Sequence, residues 1–290
     1  MVQTLIYHGL ASKEATLAMD LEIMQRTGFS GLEVSAAKMR AMLEAGFSEA
    51  DLASRFAEVE VPGIGFLMDI ERHGTDRAAL MRDAENLFAL AEIAGAKGVQ
   101  VITGPVDLRA AQASSQGAAW PGYRGVLGLP RDEQRRVLVD NLAALADLAA
   151  GQGLIVYLEA LAWLPFNTLA DQVELLRRAG RDNLRMVVDF WHCYASGNTP
   201  DEVSRLDSEL IYGVHFCDSR AHQGGLPNEA VLRDVATGQG VLDLREWTDA
   251  VKATGYQGWW SCELFCRRQH QDNSFAVARE LHDLMARTIL

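Results

Sequence analysis

The chain has 290 residues, 49% hydrophobic and 23% charged, with a formal net charge of -12. Its apolar content is that of a globular core rather than of disorder, and its length, long for an average domain, suits one α/β barrel of about 250 residues. The acidic balance argues against nucleic acid, which is held largely by Lys and Arg displacing counterions, and points to a small uncharged ligand, although one local arginine cluster would still take a phosphate.

The N-terminal M-V-Q-T-L-I-Y-H-G lacks a basic stretch followed by a long apolar one, and no run of about 18 apolar residues follows, so neither a signal peptide nor a membrane span is expected. Short β-rich apolar runs then alternate with stretches of helical period, the pattern of parallel βαβ units. Strands of about five or six residues begin near Leu5, Gly31, Pro62, Val99, Leu154, Leu184, Ile211 and Gly258. Helices are expected around Glu14 to Arg26, Glu49 to Val59, Arg77 to Ala94, Arg131 to Ala150, Leu169 to Arg178, Asp201 to Leu206, Leu244 to Lys252 and Phe275 to Ala286. Ser48 and Thr75 stand where N-caps belong, and Gly28, Gly95, Gly151, Gly180 and Gly255 where a left-handed residue ends a helix. Eight such pairs make a single-domain (β/α)8 TIM barrel.

Two connections, residues 104–129 and 219–242, are too long for simple turns. Both follow the C-terminal end of a strand, the face on which a barrel builds its site, so they are expected to cover a pocket. In the first, Trp120, Tyr123 and Arg124 are suited to contact a ligand, or else to pack on the barrel rim. The four cysteines, Cys193, Cys217, Cys262 and Cys266, show no CxxC pair, so a disulfide framework is not expected and a reducing cytoplasm fits.

The last four strand regions end in Glu159, Asp189, His215 and Glu263. In a barrel these positions converge on one side of the C-terminal face. Any one of them alone reads as a helix cap or an ion pair. Three carboxylates gathered in a partly dry site need raised pKa values or a cation, and a single divalent ion is the simpler solution. Three oxygen ligands and one nitrogen suit Mn2+ first, with Mg2+, Co2+ and Zn2+ as alternatives.

The segments Y-L-E-A around Glu159, D-F-W-H from Asp189 to His192, V-H-F-C-D-S from Val214 to Ser219, G-Q-G-V-L-D from Gly238 to Asp243 and S-C-E-L around Glu263 resemble the xylose-isomerase-like barrel superfamily, which includes sugar phosphate isomerases and epimerases. The resemblance implies a metal on Glu159, Asp189, His215 and Glu263, His192 near the substrate oxygens, and Glu159 and Glu263 doubling as catalytic bases. The implied substrate is a keto-sugar or cyclic keto-polyol. A carboxylate beside its carbonyl would move a proton through an enediolate, and expulsion of a neighbouring hydroxyl instead would make the enzyme a dehydratase of an inosose or dehydroshikimate.

His8 closes the first strand and Glu33 lies within the second, each as much structural as functional. Arg220 and Arg233 would bind a substrate anion or order their loop. An endonuclease-four-like nuclease is disfavoured because the third and fourth strands, G-I-G-F-L-M-D and V-Q-V-I-T-G-P, carry no histidine. A Schiff-base aldolase lacks a lysine at a strand end, and T-G-Q-G does not join a strand to a helix as a dinucleotide fingerprint does. A non-catalytic accessory subunit is the remaining class, and assembly into a homo-oligomer is compatible with this sequence.

Overall fold

The computed structural model describes residues 3–123 and 125–290. Eight parallel strands close into a barrel in chain order: β1 Thr4–His8, β2 Gly31–Ser35, β3 Ile64–Leu67, β4 Gly98–Ile102, β5 Ile155–Glu159, β6 Leu184–Asp189, β7 Ile211–His215 and β8 Trp259–Ser261. Thr4 pairs with Trp259 across the closing seam. Strands covered on both faces read as near-continuous apolar runs, which is why the sequence pattern locates each start within two residues.

The helices Arg77–Ala94 and Arg131–Ala150 occupy the expected segments. The helix Glu49–Phe56 opens on a capping box in which Ser48 Oγ accepts from the Asp51 amide and Asp51 accepts from the Ser48 amide. Two local expectations fail. Thr75 lies inside a short 3-10 turn, Gly74–Asp76, and caps nothing. Gly151 has φ -62, and the left-handed turn after that helix falls at Gly153, φ 69. The pattern also misses Ala36–Glu44, Leu108–Ser115, Phe190–Ala195, Glu229–Leu232 and Arg267–His270, which are too short for a helical period to repeat. Two of these give the long connections structure of their own. The four cysteines are buried free thiols, and no described helix is long and apolar enough to cross a membrane.

Side-chain alternation divides the barrel interior into layers. Ile6, Tyr157, Val187 and Trp259, with Tyr212 against them, form an apolar floor separate from the larger core between strands and helices. Rings this large fit because the facing positions are glycine. A Cβ on Gly63 would lie 2.1 Å from Tyr157 Oη, and one on Gly213 would lie 2.0 Å from Trp259 Cζ2. One step along each strand on the same face come His8, Glu33, Gln100, Glu159, Asp189, His215 and Ser261, all buried. The fold therefore places a charged layer on an apolar floor at the C-terminal mouth.

Candidate metal centre

Glu159, Asp189 and His215 are the last residues of β5, β6 and β7, and Glu263 lies two residues past β8. One ligand atom from each can be chosen so that all lie within 4.8 Å of one another. His215 Nδ1 stands 3.2 Å from Glu159 Oε1, 3.7 Å from Asp189 Oδ2 and 3.9 Å from Glu263 Oε2. The neighbouring positions of β6, β7 and β8 fix this convergence, with Asp189 paired to His215 and His215 to Ser261.

Each candidate ligand is held from behind. Gln100 Nε2 donates to Glu159 Oε2 at 2.9 Å, leaving Oε1 turned to the centre. Asp189 Oδ1 accepts from the His192 amide at 2.6 Å, capping the helix Phe190–Ala195, while Oδ2 accepts from Cys217 Sγ. His215 Nε2 lies 3.3 Å from Glu33, whose carboxylate also accepts from Tyr157 Oη at 2.8 Å and Ser261 Oγ at 2.7 Å. Such a carboxylate behind an imidazole fixes the ring and its tautomer and leaves Nδ1 to face the other three groups. His8 Nδ1 accepts from the Leu10 amide, which places its proton on Nε2, 3.5 Å from Glu33 and 4.0 Å from Glu263.

The electrostatics follow from crowding in a dry place. Burial, then the charge of Glu263, pushes the Glu159 carboxyl up to about 8. Burial also opposes ionisation of Asp189, but Arg233, His192 and His215 together hold it well below the usual carboxylate range. His215 is held protonated against burial by Glu33, Asp189 and Glu159. Carboxylates crowded out of water, with Glu159 pushed up and Asp189 kept ionised by a guanidinium and an imidazolium, form a donor set suited to a divalent cation, and three oxygens with one nitrogen fit its chemistry.

The 219–242 connection enters this centre. Asp218 organises it, accepting from the amides of Ser219, Gly238, Gly240 and Leu242. A Cβ at Gly240 would sit 2.2 Å from Asp218 Oδ1, so this approach requires glycine. The loop delivers Arg233, which is 2% exposed and sits 2.9 Å from Glu263, 3.4 Å from Asp189 and 3.1 Å from Glu229. Its guanidinium packs on Phe265 and Trp191. His192 Nδ1 accepts from the Ala162 amide, and burial lowers its pKa to about 4, so the ring is neutral with its proton on Nε2.

The other expected contacts lie elsewhere. Trp120 stacks on Arg109 within its own excursion rather than beside the carboxylates. Arg220 is half-exposed and pairs with Asp234. Tyr123 Oη donates to buried Glu71, and Arg124 lies outside the described residues. Three residues that the sequence reading passes over matter here: Gln100, Glu229 and Glu71. Glu71 ties both ends of the first excursion, accepting from Gly104 N at 2.8 Å and from Tyr123, and burial followed by the charge of Asp69 raises its pKa to about 7.

The xylose isomerase-like TIM barrel family model matches residues 21–288. The chain is 33% identical over 130 residues to a 3-dehydroshikimate dehydratase of Pseudomonas aeruginosa, covering 44% of this chain and 20% of that protein. It is 28% identical over 143 residues to an inosose isomerase of Halalkalibacterium halodurans, covering 49% of this chain and 50% of that one. The matched region thus spans half or less of these relatives. Among solved structures, an IolI protein with a bound zinc atom superposes with a TM-score of 0.85 at 19% identity, covering 99% of this chain and 98% of its own, a likeness of fold.

Proposed function

The chain belongs to the xylose isomerase-like TIM barrel family, and from that membership and the geometry of its centre we propose a metal-dependent isomerase or epimerase that moves a proton next to the carbonyl of a keto-sugar or cyclic keto-polyol. The observation that carries this reading is the convergence of Glu159, Asp189, His215 and Glu263 on one point. These four would hold the cation, Mn2+ in the first instance. When bound, the cation supplies electron withdrawal at a substrate carbonyl and its adjacent hydroxyl.

The protein's own groups do the rest. Glu159 and Glu263, on elements three strands apart round the barrel, are the bases that remove a proton from carbon and return one. Gln100 holds Glu159 by Oε2 and presents Oε1. The Nε2–H of His192 donates to a substrate oxygen, and Arg233, 2.9 Å from Glu263 and 3.4 Å from Asp189, holds Asp189 ionised. The near-complete burial of these side chains excludes water and strengthens each interaction.

Loss of water from the same intermediate is the second reading, favoured by the likeness to a 3-dehydroshikimate dehydratase. A nuclease finds less support, because β3 and β4 turn Gly65 and Gln100, not histidines, to the inner face. The test is to incubate Mn2+-loaded protein with ketoses, inososes and dehydroshikimate in D2O. Deuterium next to the carbonyl at constant heavy-atom composition establishes isomerism, and loss of water moves the enzyme to the lyases. No uptake with any compound refutes the reading, as does full turnover with retained metal in Glu263→Ala.

A further inference from the structure

Glu229 is a carboxylate at this centre that belongs neither to the four converging groups nor to the sealed layer beneath them. It opens the four-residue helix Glu229–Leu232 within the 219–242 connection. Its side chain is 24% exposed, against 4% for Glu159 and 6% for Glu263. Its Oε1 is 3.1 Å from Arg233 Nη1, the same nitrogen that lies 2.9 Å from Glu263 Oε2. On the other side, Oε1 is 3.9 Å from His192 Nε2, which is itself 3.9 Å from Glu159 Oε1.

Both 3.9 Å separations exceed a hydrogen bond, so the proton on Nε2 is donated to neither carboxylate. His192 Nε2 thus stands between the two carboxylates, at the same distance from an oxygen of Glu159 as from one of Glu229. Glu229 thereby stands beside both proposed bases, reached from one through His192 and from the other through Arg233.

This has a consequence that rests on the isomerase reading. Shifting a carbonyl to the adjacent carbon of a keto-polyol requires two proton movements. The C–H proton of the carbinol carbon goes to a base, its bonding electrons form the carbon–carbon double bond, and the former carbonyl carbon is later protonated. The hydroxyl proton of the carbinol must also leave its oxygen and reach the other oxygen, so that the first becomes the carbonyl and the second the hydroxyl. No atom is gained or lost and no co-reactant is needed. Epimerisation at one carbon returns a proton to that same carbon from the other face and needs no exchange of protons between the two oxygens.

We propose that Glu229 carries the oxygen-to-oxygen proton, accepting it from the carbinol hydroxyl and returning it to the former carbonyl oxygen, while Glu159 and Glu263 move the carbon proton. A carboxyl raised to about 7 by burial, with Arg233 opposing, exchanges protons readily near neutrality and agrees with that role. Loop position sets the role apart: the carbon bases stand at strand ends, and the oxygen carrier is delivered by the loop that can vary between reactions.

The experiment compares Mn2+-loaded wild type and Glu229→Gln on 2-keto-myo-inositol in D2O, following deuterium uptake at carbon and carbonyl migration by NMR in the same tube. Glutamine keeps an oxygen for Arg233 and His192 but cannot carry a proton. The expected result is deuterium uptake within about threefold of wild type with carbonyl migration slowed by on the order of 10²-fold or more. Parallel loss of both, or retention of both, overturns the proposal. Wild-type uptake without migration overturns it too, yet leaves the proton-transfer reading standing, whereas no wild-type uptake refutes that reading and the carrier role with it. If Glu229→Gln does not fold, Glu229→Asp serves, with migration again slowed more than uptake.

Discussion

Glu33→Gln isolates the support that the barrel interior gives to His215. The carboxylate of Glu33 takes hydrogen bonds from Tyr157 at 2.8 Å and Ser261 at 2.7 Å and faces His215 Nε2 at 3.3 Å, all out of solvent. Burial disfavours its charge, but His215 and His8 reverse that and bring its pKa down to about 2, so it is ionised throughout the neutral range. Glutamine keeps the shape and removes the charge. A carboxylate behind a metal-binding imidazole is worth roughly 10–100-fold in metal affinity, or about 1.4–2.8 kcal/mol. The two hydroxyl bonds lose their charge assistance as well, at about 1 kcal/mol each. Competition titration of Mn2+ against a fluorescent chelator reads the first effect and thermal unfolding of the metal-free protein reads the second. Tyr157→Phe, which leaves the carboxylate in place, is expected to lower the Tm while changing metal affinity less than Glu33→Gln. A folded Glu33→Gln protein with wild-type affinity refutes the reasoning.

Two further predictions concern groups away from the four proposed ligands. Glu71 has its pKa raised on folding from 4.5 to about 7, so the folded state binds the extra proton between those values. Stability then falls as pH rises from about 4.5 to 7, by on the order of 3 kcal/mol, and is level above. Glu71→Gln is expected to lose this slope while keeping the bond from Gly104, which Tm measurements at pH 5 and 8 would show; identical slopes in the two proteins contradict it. Gly213→Ala places a methyl 2.0 Å from the Trp259 ring in a packed floor and is expected to cost about 1–3 kcal/mol or more, read as a lower urea midpoint, whereas an unchanged midpoint contradicts the account of the floor.

How much could be read in advance depended on whether a residue obeyed a local period. Strands covered on both faces and long amphipathic helices such as Arg131–Ala150 announce themselves, and two-residue alternation carries Tyr157 to Glu159 and Gly213 to His215 on one inner face. The convergence of Glu159, Asp189, His215 and Glu263 is therefore legible once the barrel is. Gln100 was legible in principle, since a lone polar side chain inside the buried run G-V-Q-V-I needs a buried partner, which proves to be Glu159. Arg233 was read as one of two indistinguishable arginines and Glu229 not at all. Their entry into the centre is set by Asp218 binding amides some twenty residues away, which no periodicity encodes. Trp120 shows the same limit in reverse, because an aromatic suited to a ligand is satisfied by Arg109 nearby.

The central claim is that one cation is held by Glu159, Asp189, His215 and Glu263, and anomalous diffraction at the manganese edge from crystals of Mn2+-loaded protein tests it most directly. The account predicts a single peak bonded by the three carboxylates and by Nδ1 of His215. A peak on the Nε2 side of that ring, between His8 and Glu33, or no peak at the barrel mouth, would contradict it.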